Sequence, residues 1–416
     1  MSNNNNDAID IEPTDEQLAT EQHYYSHLQF KADESTLKEK GISRGSILMD
    51  VVKQLRTGAD LFRISLPSAL LAPISMLEYI SYFIRPQSYI LSAHKAFDPE
   101  QRFVSVLKWW LSNTSHTPRG GIMQAKPYNP VIGEVFACKW IHKDPSSGEI
   151  SKTEFISEQV SHHPPMASGV LLNRKNNLLL NAMIKPKSKF HGNSASIVLD
   201  GSITMRFLNQ PESELYDIVF PWVVAKGLIW GTQCIEINED LKITCAGTGY
   251  SAKIQFKADN EIKGSIKKDG NRIYKIRGNI TGEVRIRSVK TKKESVFFDA
   301  KDLEHAPWFV KKVANQKQNE SRRVWHKVTK ALADGEFEDA NVQKNLIEEK
   351  QRGLRKKREE AGQSWKQDLF KLKEGTEDEY LFKHDLNSDE YKNKSLGDFI
   401  EFLKEDEEEI EFAKKL

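Results

Sequence analysis

Cysteine is scarce in this chain. Only Cys138, Cys234 and Cys245 are present, an odd number with wide spacing and no CxxC pair. That pattern excludes a disulfide framework and a cysteine-based zinc site, and it suits a reducing compartment. An excess of one charge is also lacking. Lys plus Arg is 61 and Asp plus Glu is 59, for a net charge of +2. Nothing draws the whole molecule towards nucleic acid, so any electrostatic function must come from local clusters. The start, MSNNNNDAIDIEPTDEQ, is polar and acidic, without the basic and apolar regions of a signal peptide. Ser2 does not support myristoylation, and the final AKKL is no prenylation box. One stretch, Ser65 to Ile84, has about the length of a spanning helix. It also holds Pro67, Pro73, Glu78 and four serines, which fits a buried or lid segment better than a span.

What is present divides the 416 residues into three textures. Residues 1–42 are polar, acidic and Asn-rich, and composition predicts disorder there. SILMDVVKQL, ending at Leu55, has apolar residues at helical spacing. Phe97 to Asn113 reads as an amphipathic helix with Phe103, Leu107 and Trp110 on one face. From about Glu134 to Val289, short runs rich in Val, Ile, Thr and Phe alternate with turn signals such as DPSSG, NQPES and KKDGN. This is the pattern of an antiparallel meander, and so many strands point to one large sheet or barrel. After Pro307 helical patterns return, over Asn319–Gly335, Asn341–Gly362 and an acidic tail from Ser395. The predicted fold class is mainly β (α+β): a helical lead-in, a large β body and a helical exit.

The sharpest string is EQVSHHPP, Glu158 to Pro165. It sets two imidazoles before two prolines at the end of a strand-like run. The prolines stiffen the backbone and remove two donors. Adjacent side chains on a strand face opposite ways, yet at a bent strand end both histidines can reach one ligand; a plain polar turn is the other reading. A zinc site would need a third ligand at suitable spacing, and none lies nearby. No GxSxG is present and no cysteine sits in a nucleophile context. The expectation is therefore no enzyme, no metal and no cofactor.

EQVSHHPP resembles the signature of the oxysterol-binding protein related family of lipid-transfer proteins. QLRTGADLFRISLPSALLAPISMLE, KPYNPVIGE (Lys126 to Glu134), KSKFHGNSASIVLDG (Lys187 to Gly201), ESRRVWHKV and NLIEEKQRGLRKKRE resemble the same family in the same order. The resemblance covers roughly residues 45–370. It implies an incomplete antiparallel β-barrel around a lipid tunnel, an N-terminal helical lid and C-terminal helices packed behind. The implied layout is a lipid-binding domain over 43–375, with a lid at about 43–75, a barrel at about 125–300 and helices at about 318–370. An acidic helical tail follows over 376–416.

A carrier of this kind answers a physical need. A two-chain lipid has about 30 methylenes, and at ~0.8 kcal/mol each their exposure to water costs on the order of 25 kcal/mol. A closed apolar cavity must replace the bilayer. Leu66, Leu70, Leu71 and Ile74 suit a lid or tunnel lining, or ordinary core. By resemblance, phosphatidylinositol 4-phosphate is gripped by His162, His163, Lys126, Asn129 and the helix stripe Lys344, Glu348 and Arg352. That stripe sits at i, i+4, i+8, on one helical face. Residues 344–358 hold seven basic and two acidic side chains. Arg355, Lys356, Lys357 and Arg358 are therefore candidates for transient contact with an anionic membrane, or for a plain solvated face. The GNS string resembles the phosphatidylserine-carrying branch and puts Asn193 and Ser194 near a second headgroup.

The resulting expectation is a cytoplasmic monomer, transiently peripheral on membranes or their contact sites, exchanging phosphatidylinositol 4-phosphate for phosphatidylserine. A sterol carrier, a lipid-regulated scaffold using the EDEEE segment (Glu405 to Glu409), and a lipid-headgroup hydrolase are the alternatives. No nucleic-acid partner is expected. SVFFDAKD, Ser295 to Asp302, resembles a receptor-binding tract but has a basic flank, and it reads as a structural strand.

Overall fold

The computed structural model describes residues 13–21, 25, 47, 51, 56–59, 66–115, 126–144, 147–227, 234–304, 306–405 and 407–415. The expected helix ending at Leu55 and most of the expected lid lie outside the described residues.

Part of the expected disordered start is docked instead. Helix α1 (Asp15–Thr20) begins with a capping box between Thr14 and Gln17. Leu18 and Tyr25 pack on Val313, and Glu21 pairs with His326 at 2.6 Å and Lys330 at 3.0 Å. One leucine and one tyrosine suffice to hold this acidic stretch, because cations from a distant part of the chain meet its carboxylates.

The parallel pair β1 (Leu71–Ser75) and β2 (Lys126–Tyr128) joins the lid base to the KPYNP segment. Between them lie α2 (Met76–Ser81), α3 (Ser88–Ser92) and α4 (Pro99–Ser115). In α4 the residues Phe103, Val106, Leu107 and Trp110 recur at helical spacing and are buried. Residues 66–84 are thus broken into a short 3₁₀ turn, a strand and a two-turn helix. Among the described residues no helix is long and apolar enough to cross a membrane.

The body is one fifteen-stranded sheet. Its strands are β3 (Val135–Lys143), β4 (Ile150–His162), β5 (Pro165–Asn173), β6 (Leu178–Phe190), β7 (Ser194–Phe207), β8 (Tyr216–Val219), β9 (Trp222–Lys226) and β10 (Cys234–Asn238). They continue with β11 (Asp240–Cys245), β12 (Tyr250–Phe256), β13 (Glu261–Lys268), β14 (Asn271–Asn279), β15 (Glu283–Ser288), β16 (Glu294–Asp299) and β17 (Trp308–Phe309). Neighbours pair mostly in sequence order and antiparallel, from β16 at one edge through β3 to β17 at the other. Laid flat, thirteen strands in that path would span about 58 Å at ~4.8 Å per strand. Yet only nine residue steps separate Asp299 from Trp308, a reach of at most about 32 Å. The sheet must therefore curl, and it forms an incomplete antiparallel barrel whose edges do not pair.

The inner face packs on α4. Phe136, Cys138, Trp140, Phe155, Leu171, Met205, Phe207 and Ile243 join Phe103, Trp109 and Trp110 in one core. Phe297 and Phe298 of β16 are buried in it too, so SVFFDAKD is a structural strand. The outer face of β3–β6 is covered as well: Val135, Ala137, Ile156, Val170 and Leu172 pack against Leu369, Phe370, Leu396, Ile400 and Leu403. Burial on both faces explains why this half of the sheet reads as continuous apolar runs.

The exit begins with α5 (Ser321–Val324) and α6 (His326–Ala333), which stops at Gly335 with φ +73°, a left-handed cap. Helix α7 follows (Phe337–Glu360). The expected helical tail over 376–416 is corrected here. Residues 370–382 form a hairpin, β18 (Phe370–Leu372) and β19 (Tyr380–Phe382), and among the described residues of the tail only α8 (Glu407–Lys415) is an α-helix. Leu396, Ile400, Phe402 and Leu403 are spaced to cover a sheet, and tertiary burial overrides the helical pattern of acidic residues.

Candidate functional site

Strand β4 ends at His162, and the peptide His163–Pro164 that turns the chain into β5 is cis. The two imidazoles lie 4.6 Å apart, edge to face at 68°. Ser161 Oγ donates to Pro164 O at 2.7 Å, and Gln159 Nε2 donates to Ser161 O at 2.8 Å, which braces the corner. His162 Nδ1 lies 3.1 Å from Pro130 O. A carbonyl only accepts, so Nδ1 carries the proton and Nε2 is the outward lone pair. Burial holds the His162 imidazole below its ordinary value; the charge of His163 acts the same way, the bond to Pro130 opposes it, and Arg355 adds to the lowering. Near neutral pH the ring is thus uncharged and ready to take a proton when an anion arrives.

The KPYNPVIGE loop is fixed by its last residue. Glu134 is fully buried and accepts from Ser75 Oγ, from Ser321 Oγ at 2.7 Å, from Trp325 Nε1 at 2.9 Å and from Val131 N at 3.0 Å. Burial raises its pKa despite these donors. One carboxyl thereby ties β1, the loop and α5–α6 together. Lys126 and Asn129, both half-buried, sit on that loop next to Pro130.

Helix α7 closes the third side. Ala340 and Ile347 pack with Tyr128, Val131 and Leu71, while the Ser68 backbone N–H donates to Asn341 Oδ1 and its hydroxyl donates to Phe337 O. Lys344 is buried and pairs with Glu348 at 3.1 Å; Arg352 pairs with the other oxygen of Glu348 at 3.4 Å. Glu348 raises and Arg355 lowers the His162 pKa through space. Glu348 holds the two cations in place, as its spacing suggests.

Arg355 differs from its sequence reading in that it bears on the histidine corner. It also pairs with Glu359 at 2.7 Å. Lys356 pairs with Glu360 at 3.8 Å, Arg358 lies 5.1 Å over the Trp365 ring, and Lys357 is exposed. Trp365 in turn packs on Gly133, where φ is +75° and a Cβ would fall 2.2 Å from the ring.

Leu66 and Leu71 pack on the cluster of Tyr128, Val328, Ala331 and Ala340, Leu71 from the strand β1 that pairs with β2. Leu70 is buried, and Ile74 packs with Ala72 and Tyr79. Asn193 and Ser194 occupy the β6–β7 hairpin tip, both half-buried. Ala167 pairs with Ile184, so Pro165 is level with Pro186. His191 N bonds Ser194 O, so the tip lies about 17 Å beyond the histidine corner along the strands, five residues at ~3.3 Å each, at the same end of the barrel. Gly58 and Ala59, within the expected lid, bond the backbone of Phe190 there.

Sequence reasoning missed the buried glutamates of the motifs. Glu158 accepts from Asp368 N and Leu369 N, both at 2.8 Å, and Glu154 accepts from Leu396 N and Gly397 N. A glutamate inside a strand buried on both faces is the signal that could have found them. Among the described residues no cluster of metal-ligating side chains occurs.

The class is an incomplete antiparallel β-barrel domain with a histidine-edged corner at one end. The chain belongs to the oxysterol-binding protein family: the family profile described as "Oxysterol-binding protein" matches residues 50–331 and 328–395. The match runs some twenty residues past the boundary that sequence resemblance suggested. The chain is 34% identical over 95% of its length to oxysterol-binding protein-related protein 8 of Mus musculus, and it spans 45% of that protein. It is 35% identical to oxysterol-binding protein homolog 7 of Saccharomyces cerevisiae, covering 82% of this chain and 79% of that one. Among solved structures, the Osh1 ORD domain in complex with cholesterol superposes with a TM-score of 0.64 at 24% identity, over 79% of this chain and 83% of that one. The Osh3 ORD of Saccharomyces cerevisiae in complex with PI(4)P gives 0.61 at 20% identity, over 84% and 92%. The fold is shared with both.

Proposed function

We propose that this chain is a non-enzymatic lipid carrier that takes one lipid at a time from a membrane and exchanges phosphatidylinositol 4-phosphate for a second lipid, with phosphatidylserine favoured. The observation that carries the reading is the convergence of three elements on one corner. His162 ends β4 with His163 next to it, Lys126 and Asn129 sit on the segment whose Pro130 bonds His162, and α7 carries Lys344, Glu348, Arg352 and Arg355, of which Glu348 and Arg355 bear on the charge of His162. Two imidazoles, two lysines and two arginines, with the half-buried Glu348 between Lys344 and Arg352, would give a phosphomonoester charge-assisted donors. The position of Asn193 and Ser194 at the same end of the barrel supports a second headgroup contact there. Exposed Lys356 and Lys357, with Arg355 and Arg358, supply about 1 kcal/mol each near an anionic leaflet, enough for brief docking. Cytoplasmic residence with transient membrane contact, as a monomer, fits this picture.

A sterol as the second lipid is the other reading, favoured by the shared fold with a domain solved in complex with cholesterol. Mass spectrometry of lipids extracted from the purified chain, beside liposome extraction of labelled phosphatidylserine and labelled sterol, separates the two. Phosphatidylserine displaced by phosphatidylinositol 4-phosphate supports the exchange reading. Sterol in its place keeps the corner and removes the role of Asn193 and Ser194. Extraction of neither lipid, nor of the phosphoinositide, sinks the carrier reading.

A further inference from the structure

The outer face of β11–β15 is charged in a way the fold does not require. Its inner side chains, such as Leu241, Ile243, Ile254, Ile262 and Ile276, belong to the barrel core. The alternate positions form an open concavity of about 1020 Å³ lined by nine lysines and arginines against two glutamates. The register sets like charges directly opposite one another: Lys242 faces Lys253, Lys263 faces Arg277, Arg277 faces Arg285 and Lys275 faces Arg287. Such pairs destabilise a sheet. Lys253, Arg277 and Arg285 find carboxylates at 2.6, 3.1 and 2.7 Å. Lys242, Lys257, Lys263, Lys267, Arg272 and Lys275 are exposed. None of these six has a carboxylate within ion-pair distance among the described residues. A cluster of cations held apart from its own anions, on a face with no apolar packing role, is complementary to an external polyanion.

We propose that this face docks an extended acidic polypeptide segment of a partner protein. Concavity argues against a bilayer, since a flat leaflet touches the rims and leaves the floor unneutralised. The lining has no aromatic side chain, so unpaired bases would find no stacking platform. Five strands at ~4.8 Å span about 19 Å, which an extended segment of about six residues covers. This inference is independent of the lipid reading, because the face lies outside the histidine corner.

The test is fluorescence anisotropy of a labelled glutamate decapeptide with the full chain. Binding is expected, weakening at least about tenfold between about 50 and about 300 mM salt. The triple variant Lys263→Gln, Lys267→Gln, Lys275→Gln is expected to lose at least about tenfold in affinity while its melting curve and phosphoinositide extraction stay those of the native chain. The Lys→Arg triple at the same positions keeps the charge and is expected to bind as the native chain does. Replacing Arg355, Lys356 and Lys357 by Gln is expected to change peptide affinity less than about twofold. Equal peptide binding by the Gln triple overturns the proposal, as does loss of binding in the α7 variant. Stronger capture of phosphatidylserine vesicles or of oligothymidylate by this face, abolished in the Gln triple, assigns it to a membrane or a nucleic acid instead.

Discussion

Lys139 on β3 and Glu409 on α8 are 270 residues apart in sequence and form an ion pair at 2.8 Å with both side chains about 5% exposed. Lys152 of β4 adds a second cation at 3.2 Å from Glu409 and also meets Glu405. The acidic tail is therefore a clasp on the outer face of the barrel. It neutralises lysines that would otherwise sit beside apolar surface, and at least Glu405 and Glu409 of the EDEEE segment are engaged within the chain. Removing one partner of a buried pair leaves an uncompensated charge. Glu409→Ala is expected to cost about 3 kcal/mol, and the double change Lys139→Met, Glu409→Leu to restore most of it. Denaturant unfolding of the three chains measures this; equal midpoints for the native chain and the single variant would show the clasp to be superficial.

Glu154 holds the same tail further up, and its titration has a definite sign. Burial raises its pKa to about 7, more than the Gly397 amide and the other groups that oppose it lower it. The folded state thus binds a proton that the unfolded chain has already released. Stability from this group is fully present below the ordinary carboxylate range and declines as pH rises from about 4.5 to about 7, by up to about 3 kcal/mol. Glu154→Gln mimics the protonated form. Its melting temperature relative to the native chain should climb across that window and level off above it. A difference that does not vary with pH contradicts the assignment.

The outline of this architecture was legible in the sequence, for physical reasons that can be named. Alternating apolar residues and turn signals gave the β body, since a strand period of two survives in any one stretch. Phe103, Leu107 and Trp110 marked α4, and Gly335 marked the end of α6. The tail was not legible. Glu409 and Leu403 look like a solvated acidic helix until Lys139, Lys152 and the outer face of β3–β6 are known to lie opposite. Leu66 and Leu71 were left between lid, tunnel lining and core for the same reason: an apolar residue shows that it is buried, not which layer buries it. The histidine corner was found only because eight contiguous residues carried a family resemblance. Its bottom-up signal, two histidines at a proline turn, was compatible with an ordinary bend.

Gly133 tests whether the loop and α7 act as one unit. Its φ of +75° already disfavours a side chain, and an added Cβ meets the Trp365 ring at 2.2 Å. Gly133→Ala is expected to cost about 1–3 kcal/mol and to displace Trp365, on which Arg358 rests. Phosphoinositide extraction should fall with it, whereas Gly148→Ala, with nothing within 4 Å and a similar φ of +71°, should lower stability without lowering extraction. The Gly148 variant thus separates backbone strain from the loss of the contact. Equal extraction by both chains would mean that Trp365 does not position the corner.

The pH dependence of phosphoinositide binding tests the corner itself. Burial depresses the His162 pKa in the free chain, whereas a phosphate beside Nε2 favours the imidazolium and raises it. Binding therefore takes up a proton, and affinity should increase as pH falls from about 7.5 towards and through the ordinary histidine value of about 6.5. It should level off only below the depressed free-state value. His162→Ala with His163→Ala removes this dependence and should reduce phosphoinositide extraction at least about tenfold, one lost charge-assisted contact being worth roughly 1.5–3 kcal/mol. Extraction of the second lipid should change little, because Asn193 and Ser194 lie about 17 Å away along β6. Vesicle extraction of each lipid by native and variant chains over that pH range is the measurement. An equal loss of both lipids in a variant with a native melting curve would merge the two headgroup sites into one, and an affinity that rises with pH would remove the histidines from the phosphate grip.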